Sequence, residues 1–300
     1  MIEKASAMLL NAQNPDGGWG AEPGRRSTTE ATSLAVLALQ ALKLESQSEP
    51  MRKALTWLRE RQNSDGSWPL SDLSKIPSWS SAFAVLALSM SPADLERAVR
   101  GANWLAVQEG SKPGILARLI LALKIQKRVV QLNGDLVGWS WTPGSFSWVE
   151  PTSYSLMALK KLKSHLSGTD VAHRIEQGEL MIYDRMCVGG GWNYGNSIVY
   201  DEKLWAYPDV TAVALIALQD RSKRKENQMS LRLLQELTKE TNSGLALSWT
   251  IICLSIYGQD TGQWKQSLLK IFKKTAFLRE IKPLALAILA WFNGGQIFRL

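Results

Sequence analysis

Cysteine and histidine are scarce. Two of each, Cys187 with Cys253 and His165 with His173, are spread over 300 residues, which leaves little material for a disulfide framework or a structural zinc site and fits a reducing compartment. Nowhere do 18 apolar residues run together, so no membrane-spanning helix is expected. The start, MIEKASAMLLNAQ, sets Glu3 and Lys4 before an apolar stretch too short for a secretion signal. The expectation is a cytoplasmic chain, peripheral to a membrane at most. Alternating β-branched runs are missing too, which argues against a sheet. What is plentiful is tryptophan, 13 residues against 6 Tyr and 6 Phe, in a chain 45% hydrophobic and 21% charged, a balance that excludes disorder and fibrous classes. The net charge of +8 suits an anionic ligand, an acidic partner or an anionic membrane surface. Nucleic acid is not expected, because no basic groove interleaved with aromatics accompanies the charge.

The tryptophans are partly explained by repeats. Gln13-Asn14-Pro15-Asp16-Gly17-Gly18-Trp19 is matched by Gln62-Asn63-Ser64-Asp65-Gly66-Ser67-Trp68, and both copies extend back to a leucine, Leu9 and Leu58. A third copy keeps Trp104 and Gln108 before a turn at 109–114; another keeps Tyr183, Gly190 and Trp192, with Cys187 standing where Gln is expected. The chemistry is that of a clasp: Gln caps a helix end, Asp-Gly makes the turn, and Trp adds buried area and one N–H donor.

After the loops comes a second class of segment. Glu30 to Leu39, Trp79 to Leu88, Glu150 to Leu159 and Asp209 to Leu218 align without gaps, each with a hydroxyl at the third position (Thr32, Ser81, Thr152, Thr211) and Ala-Leu at its end. Degenerate versions start near Gly114, Leu247 and Lys282. These helices are apolar nearly all round and belong inside, whereas 51–62, 92–108, 170–186 and 227–240 are amphipathic and belong outside. Inner and outer helices in alternation stack openly or close into a ring. Closure is expected, since the last helix, Pro283 to Phe292, is too apolar to cap an open stack. The predicted fold is all-α, a closed α/α toroid of about six to seven helical hairpins in one domain spanning 1–300.

The Gln-x3-Gly-x-Trp loops followed by Thr/Ser-containing Ala-Leu helices resemble the repeats of the squalene-hopene cyclase and protein prenyltransferase superfamily, from Leu9 to about Phe292. The resemblance implies an α/α toroid with a central cavity for an isoprenoid or other apolar ligand. It does not fix a reaction. The Asp-x-Asp-Asp tetrapeptide that carries the acid of class II terpenoid cyclases is absent. Prenyltransferase zinc would need Asp, Cys and His, yet Thr211, two residues after Asp209, occupies the position where a cysteine is wanted and neither histidine lies on an inner helix. No metal and no cofactor are expected.

In a closed ring, the first positions of equivalent helices meet at one mouth. Glu30, Glu150 and Asp209 are therefore candidate catalytic groups: an acid held among apolar and aromatic walls keeps its proton, as donation to an alkene requires. Trp79, Trp148, Tyr154, Trp192 and Tyr207 are candidate ligand-binding aromatics able to face a carbocation. The competing reading makes these acids ordinary first-turn residues complementing the helix dipole. Segments 138–151 and 189–207 are aromatic loops that either line or plug the cavity, and Trp139, Trp141 and Trp205 fall in them. Basic residues Lys43, Lys124, Lys127, Arg128, Lys160, Lys161, Lys163, Arg221, Lys223, Arg224 and Lys225 follow inner-helix C-termini on the opposite rim, where they complement the dipoles and could meet a diphosphate, an acidic protein or anionic lipid. Three functions follow: metal-free acid-initiated terpenoid cyclisation or isomerisation with Glu150 or Asp209 as donor; a non-catalytic binding or scaffold toroid; and a carbohydrate-active enzyme using two of the carboxylates about 5 to 9.5 Å apart. A partner subunit could complete the site.

Overall fold

The structure is a computed structural model that describes residues 1–114, 129–166, 170–292 and 295–300. Its helices are α1 (Ile2–Asn11), α2 (Thr29–Ala41), α3 (Glu49–Arg61), α4 (Ser81–Ser89), α5 (Leu95–Val107), α6 (Val149–Lys161), α7 (Asp170–Asp184), α8 (Pro208–Ala217), α9 (Lys225–Lys239), α10 (Gly244–Ile256), α11 (Gly262–Thr275), α12 (Ile281–Trp291) and α13 (Gly295–Phe298). A two-stranded antiparallel ribbon, Ile198–Val199 with Glu202–Lys203, is the β-structure among the described residues.

The even-numbered helices α2 to α12 form the inner layer, each packed on the next, and α12 returns to α2 to close the ring. Helix α4 packs directly against α6, so six inner helices complete the circle. The seventh inner segment expected near Gly114 lies, with Lys124, Lys127 and Arg128, outside the described residues. Odd-numbered helices α1 to α11 form the outer layer. Closure is sealed where the Ile281 N–H donates to the Ala21 carbonyl at 2.8 Å.

The hydroxyl at the third position of an inner helix is the socket of the clasp. The backbone N–H of Trp19, Trp68, Trp139 and Trp192 donates to Thr32, Ser81, Thr152 and Thr211 at 2.9, 2.8, 2.9 and 3.0 Å, and each hydroxyl donates back to the carbonyl of the same tryptophan. The four indole N–H groups reach carbonyls of the preceding outer helix, on Leu9, Leu58, Leu105 and Ile182. Gln13 and Gln62 each tie the turn carbonyl, Gly17 or Gly66, to the first turn of the next outer helix at Pro50 or Arg97. Gly66 is obligatory in its turn: its φ is +96°, and an added Cβ would stand 2.6 Å from the Arg100 carbonyl oxygen.

Two assignments made from the repeats change. Trp139, grouped above with the cavity-loop aromatics, is the clasp of the third loop, because a long stretch of chain after Gln108 separates the turn from its tryptophan; Arg174 takes the part of the glutamine there, stacking 3.5 Å over the Trp139 ring and donating to the Gln108, Val137 and Gly138 carbonyls. In the fourth loop the Cys187 N–H donates to the Gly191 carbonyl, as Asn14 does to Gly18 and Asn63 to Ser67. Cys187 therefore occupies the Asn position, and Met186 the Gln position.

One turn below the mouth the bore is filled. Leu34, Phe83, Tyr154, Val213 and Leu286 lie four residues beyond the first positions and are fully buried. Phe83 and Tyr154 have ring centroids 4.5 Å apart, and Tyr154 reaches Trp249 on the non-adjacent α10 at 6.3 Å, past the intervening α8. Trp249 in turn meets Phe298 at 5.4 Å. That phenylalanine enters from the far end, where Lys161 donates to the Ile297 carbonyl and Gln219 to that of Phe298.

Candidate functional site: a carboxylate-lysine cluster at the toroid mouth

The first positions do converge. Glu30 on α2, Glu150 on α6 and Asp209 on α8 share the mouth with Lys282 on α12, which holds Glu30 in an ion pair at 2.9 Å. The Tyr154 hydroxyl, rising from the aromatic floor, donates to Glu150 Oε1 at 2.9 Å. Glu150 and Lys282 each precede a proline at the third residue of the helix, Pro151 and Pro283, so the two side chains start from equivalent places in the ring.

The charges act on one another. Burial pushes the Glu150 carboxyl above the ordinary glutamate range; Lys282 and the Tyr154 hydroxyl pull against this, and Asp209 and Glu30 add to the rise. For Lys282 burial works to lower the value, but Glu30, Glu150 and Asp209 outweigh it and the ammonium is raised. Burial and the field of Glu150 hold the Tyr154 phenol well above its ordinary value. The mouth is thus one carboxyl whose neutral form burial favours, two more acids, and one lysine whose ammonium form the three acids favour. Lys282 was visible in the sequence only as the start of a degenerate inner helix; its alignment with Glu150 through the following proline was the signal that could have found it.

The aromatic candidates separate. Trp79 packs at the mouth, its centroid 5.8 Å from Tyr154 and 6.0 Å from Phe83. Tyr154 forms the floor and is itself fully buried. Trp148 caps the start of α6 two residues before Glu150 and is half-buried. Tyr207 precedes α8 and lies 5.5 Å from Tyr194, both rings being half exposed on the rim. Trp192 is placed elsewhere: its ring is fully buried and its N–H is spent on Ile182, so it belongs with the clasps. Trp139 joins it there for the same reason. Trp205 is 84% exposed in the loop before α8.

The opposite rim is less free than its charge suggests. Lys160 is buried against Glu179 and Asp220, both at 2.6 Å; Arg221 also pairs with Glu179, and Arg224 with Glu226. Lys161 is taken by backbone carbonyls of the C-terminal segment. Lys43, Lys163, Lys223 and Lys225 remain exposed there. His165 and His173 are exposed, and among the described residues no group of three or more His, Cys, Asp or Glu is placed to hold a metal ion. No helix of the described residues is long and apolar enough to cross a membrane.

With this geometry in hand, comparison with known proteins gives three findings. Residues 2–126, less than half of the chain, match the squalene-hopene cyclase N-terminal domain. No curated protein sequence matches. Among solved structures, the type II terpene cyclase MstE from Scytonema, in complex with geranylgeranyl dihydroxybenzoate, superposes with a TM-score of 0.60 at 16% identity, covering 99% of this chain and 96% of that one. An alpha-amylase from Clostridium perfringens gives 0.61 at 11% identity over 97% of both chains. An alpha-1,6-mannanase of Salegentibacter sp. in complex with alpha-1,6-mannotriose gives 0.58 at 8% identity over 99% of this chain and 98% of that one. The fold is an all-α toroid, a shape shared with the terpene cyclase and with the two carbohydrate-active proteins.

Proposed function

We propose that the chain holds an isoprenoid or similarly apolar ligand at the mouth of its toroid and starts a metal-free cyclisation or isomerisation there, with Glu150 as proton donor. The observation that carries this reading is the placing of Glu150, whose pKa burial raises, beside a phenol and an ammonium able to stabilise the carboxylate left behind. In the step, the π pair of a ligand alkene takes the Glu150 proton. A C–H bond forms, the carboxyl O–H bond breaks, and a carbocation and a carboxylate result. Tyr154 hydrogen-bonds that carboxylate, while the faces of Trp79 and Tyr154 and the three acids together favour the cation. Loss of a neighbouring proton to a carboxylate ends an isomerisation; attack by a second alkene closes a ring.

The filled bore restricts the ligand to the mouth and the loops around it. Those loops expose Leu73, Ile76, Phe146, Tyr200 and Trp205, a collar that supports delivery of the ligand from a membrane to which the protein attaches peripherally. Replacing Glu150 by Gln should abolish turnover of prenyl alcohols or hydrocarbons with helical content unchanged; turnover equal to that of the parent would sink the mechanism.

A second reading, a binding or scaffold toroid without chemistry, is favoured by the same packed bore and by the Glu30–Lys282 pair, which ties two neighbouring inner helices together. It predicts ligand binding or none, and no product in either case. Carboxylate-dependent glycoside hydrolysis rests on the likeness of fold to the amylase and the mannanase. Release of reducing ends from an oligosaccharide, lost in both Glu30→Gln and Glu150→Gln, would favour it.

A further inference from the structure

We propose that Trp79, Trp104 and Trp141 form an aromatic cage for a quaternary ammonium group. The cage is a cavity of about 70 Å³ in the toroid wall, between the start of α4, the end of α5 and the loop before α6. These three indoles line it together with Trp139, Gln108 and Glu109. Trp79 and Trp141 pack edge to face at 87° with centroids 4.7 Å apart. Unlike the clasp indoles, whose N–H groups end on carbonyls, those of Trp79, Trp104 and Trp141 donate to no protein acceptor among the described residues. The repeats therefore do not account for them.

The chemistry of the walls selects the ligand. Indole faces attract cations, and the Arg174 guanidinium 3.5 Å over Trp139 shows that this cluster already holds one from the protein side. No Lys or Arg side chain lines the cavity among the described residues, and the Glu109 carboxylate stands at its edge. Glu109 pairs with Lys112 at 3.3 Å in a weak pair, both side chains being about half exposed, and its field also acts on the Arg174 guanidinium. A primary ammonium, being the more tightly hydrated, gives up more on entering an indole-lined cavity. A quaternary one has no N–H to satisfy. The volume admits a compact head of a few heavy atoms rather than an isoprenoid chain, so the two ligands differ although Trp79 borders both sites.

The test is tryptophan fluorescence titration of the full chain with choline and with its neutral isostere, in which carbon replaces nitrogen. Choline should bind about tenfold more tightly than the isostere. Trp104→Leu and Trp141→Leu should each remove that preference with unchanged circular dichroism, Glu109→Gln should reduce it about threefold, and Trp205→Leu should leave it intact. Because Glu109 is exposed, its variant reads out the site even if a tryptophan variant misfolds. Equal affinity for the two compounds, absence of saturable choline binding, or binding indifferent to Glu109 and both cage tryptophans would overturn the proposal.

Discussion

The hydroxyl sockets make the sharpest quantitative prediction, because adjacent residues on one helix separate the clasp from a generic buried hydroxyl. Thr152 and Ser153 are both fully buried on α6. Thr152 accepts the Trp139 N–H at 2.9 Å and donates to the Trp139 carbonyl at 3.3 Å. Ser153 donates only to Val149, one turn back in its own helix, at 2.7 Å. Thr152→Val keeps the shape and removes the hydroxyl. The Trp139 carbonyl still accepts from Trp148 at 3.0 Å, but the N–H has no alternative acceptor. An orphaned buried donor costs about 1 to 3 kcal/mol, and the second lost bond adds about 0.5 to 1.5. The expected loss is about 2 to 4 kcal/mol. Ser153→Ala leaves a carbonyl that is already in the helix ladder and should cost less than about 1 kcal/mol. Equilibrium urea unfolding followed by circular dichroism measures both, read as midpoint shifts at constant slope. A Thr152→Val loss no larger than that of Ser153→Ala would refute the clasp account.

Glu150 also predicts a pH dependence. Its folded pKa is raised, so the stabilisation it gives is complete below the ordinary glutamate range and is lost as pH rises through the folded value. Glu150→Gln lacks that loss, so the thermal midpoint of the variant should gain on the parent between mildly acidic and neutral pH; parallel midpoint curves would contradict the assignment. Lys282→Met leaves Glu30 without its partner among three acids. Its cost at neutral pH should fall at or below the low end of the roughly 3 to 5 kcal/mol of a broken buried pair, since the two side chains are 27% and 22% exposed. The loss should shrink in acid as the carboxyls protonate, and Lys282→Arg should restore most of it. A loss independent of pH would mean that Lys282 acts by packing alone.

Much of this architecture is legible because repetition turns local chemistry into geometry. Four aligned hydroxyls, two intact loops and the apolar inner segments are enough to imply a ring, its two layers and the convergence of Glu30, Glu150 and Asp209. What escaped depends on contacts between distant residues. Trp139 lies far along the chain from the helix it clasps, and Arg174 stands in for a glutamine from another helix altogether, so neither leaves a local pattern. Trp192 reads equally well as clasp or wall until the direction of its N–H is known. Lys282 hides in the least regular inner segment, where an ammonium replaces the carboxylate of its repeat-mates. The filled bore could not be read at all, since it follows from Tyr154 and Trp249 meeting past the intervening α8 and from Phe298 entering through the far end.

The central claim is proton transfer from Glu150, and the most direct measurement is mass spectrometry of the products formed from geranylgeraniol or squalene in heavy water. The account predicts a product carrying one solvent-derived deuterium with the parent protein, and none with Glu150→Gln. A parent protein that yields no deuterated product, or a Glu150→Gln variant that labels it equally, would contradict it.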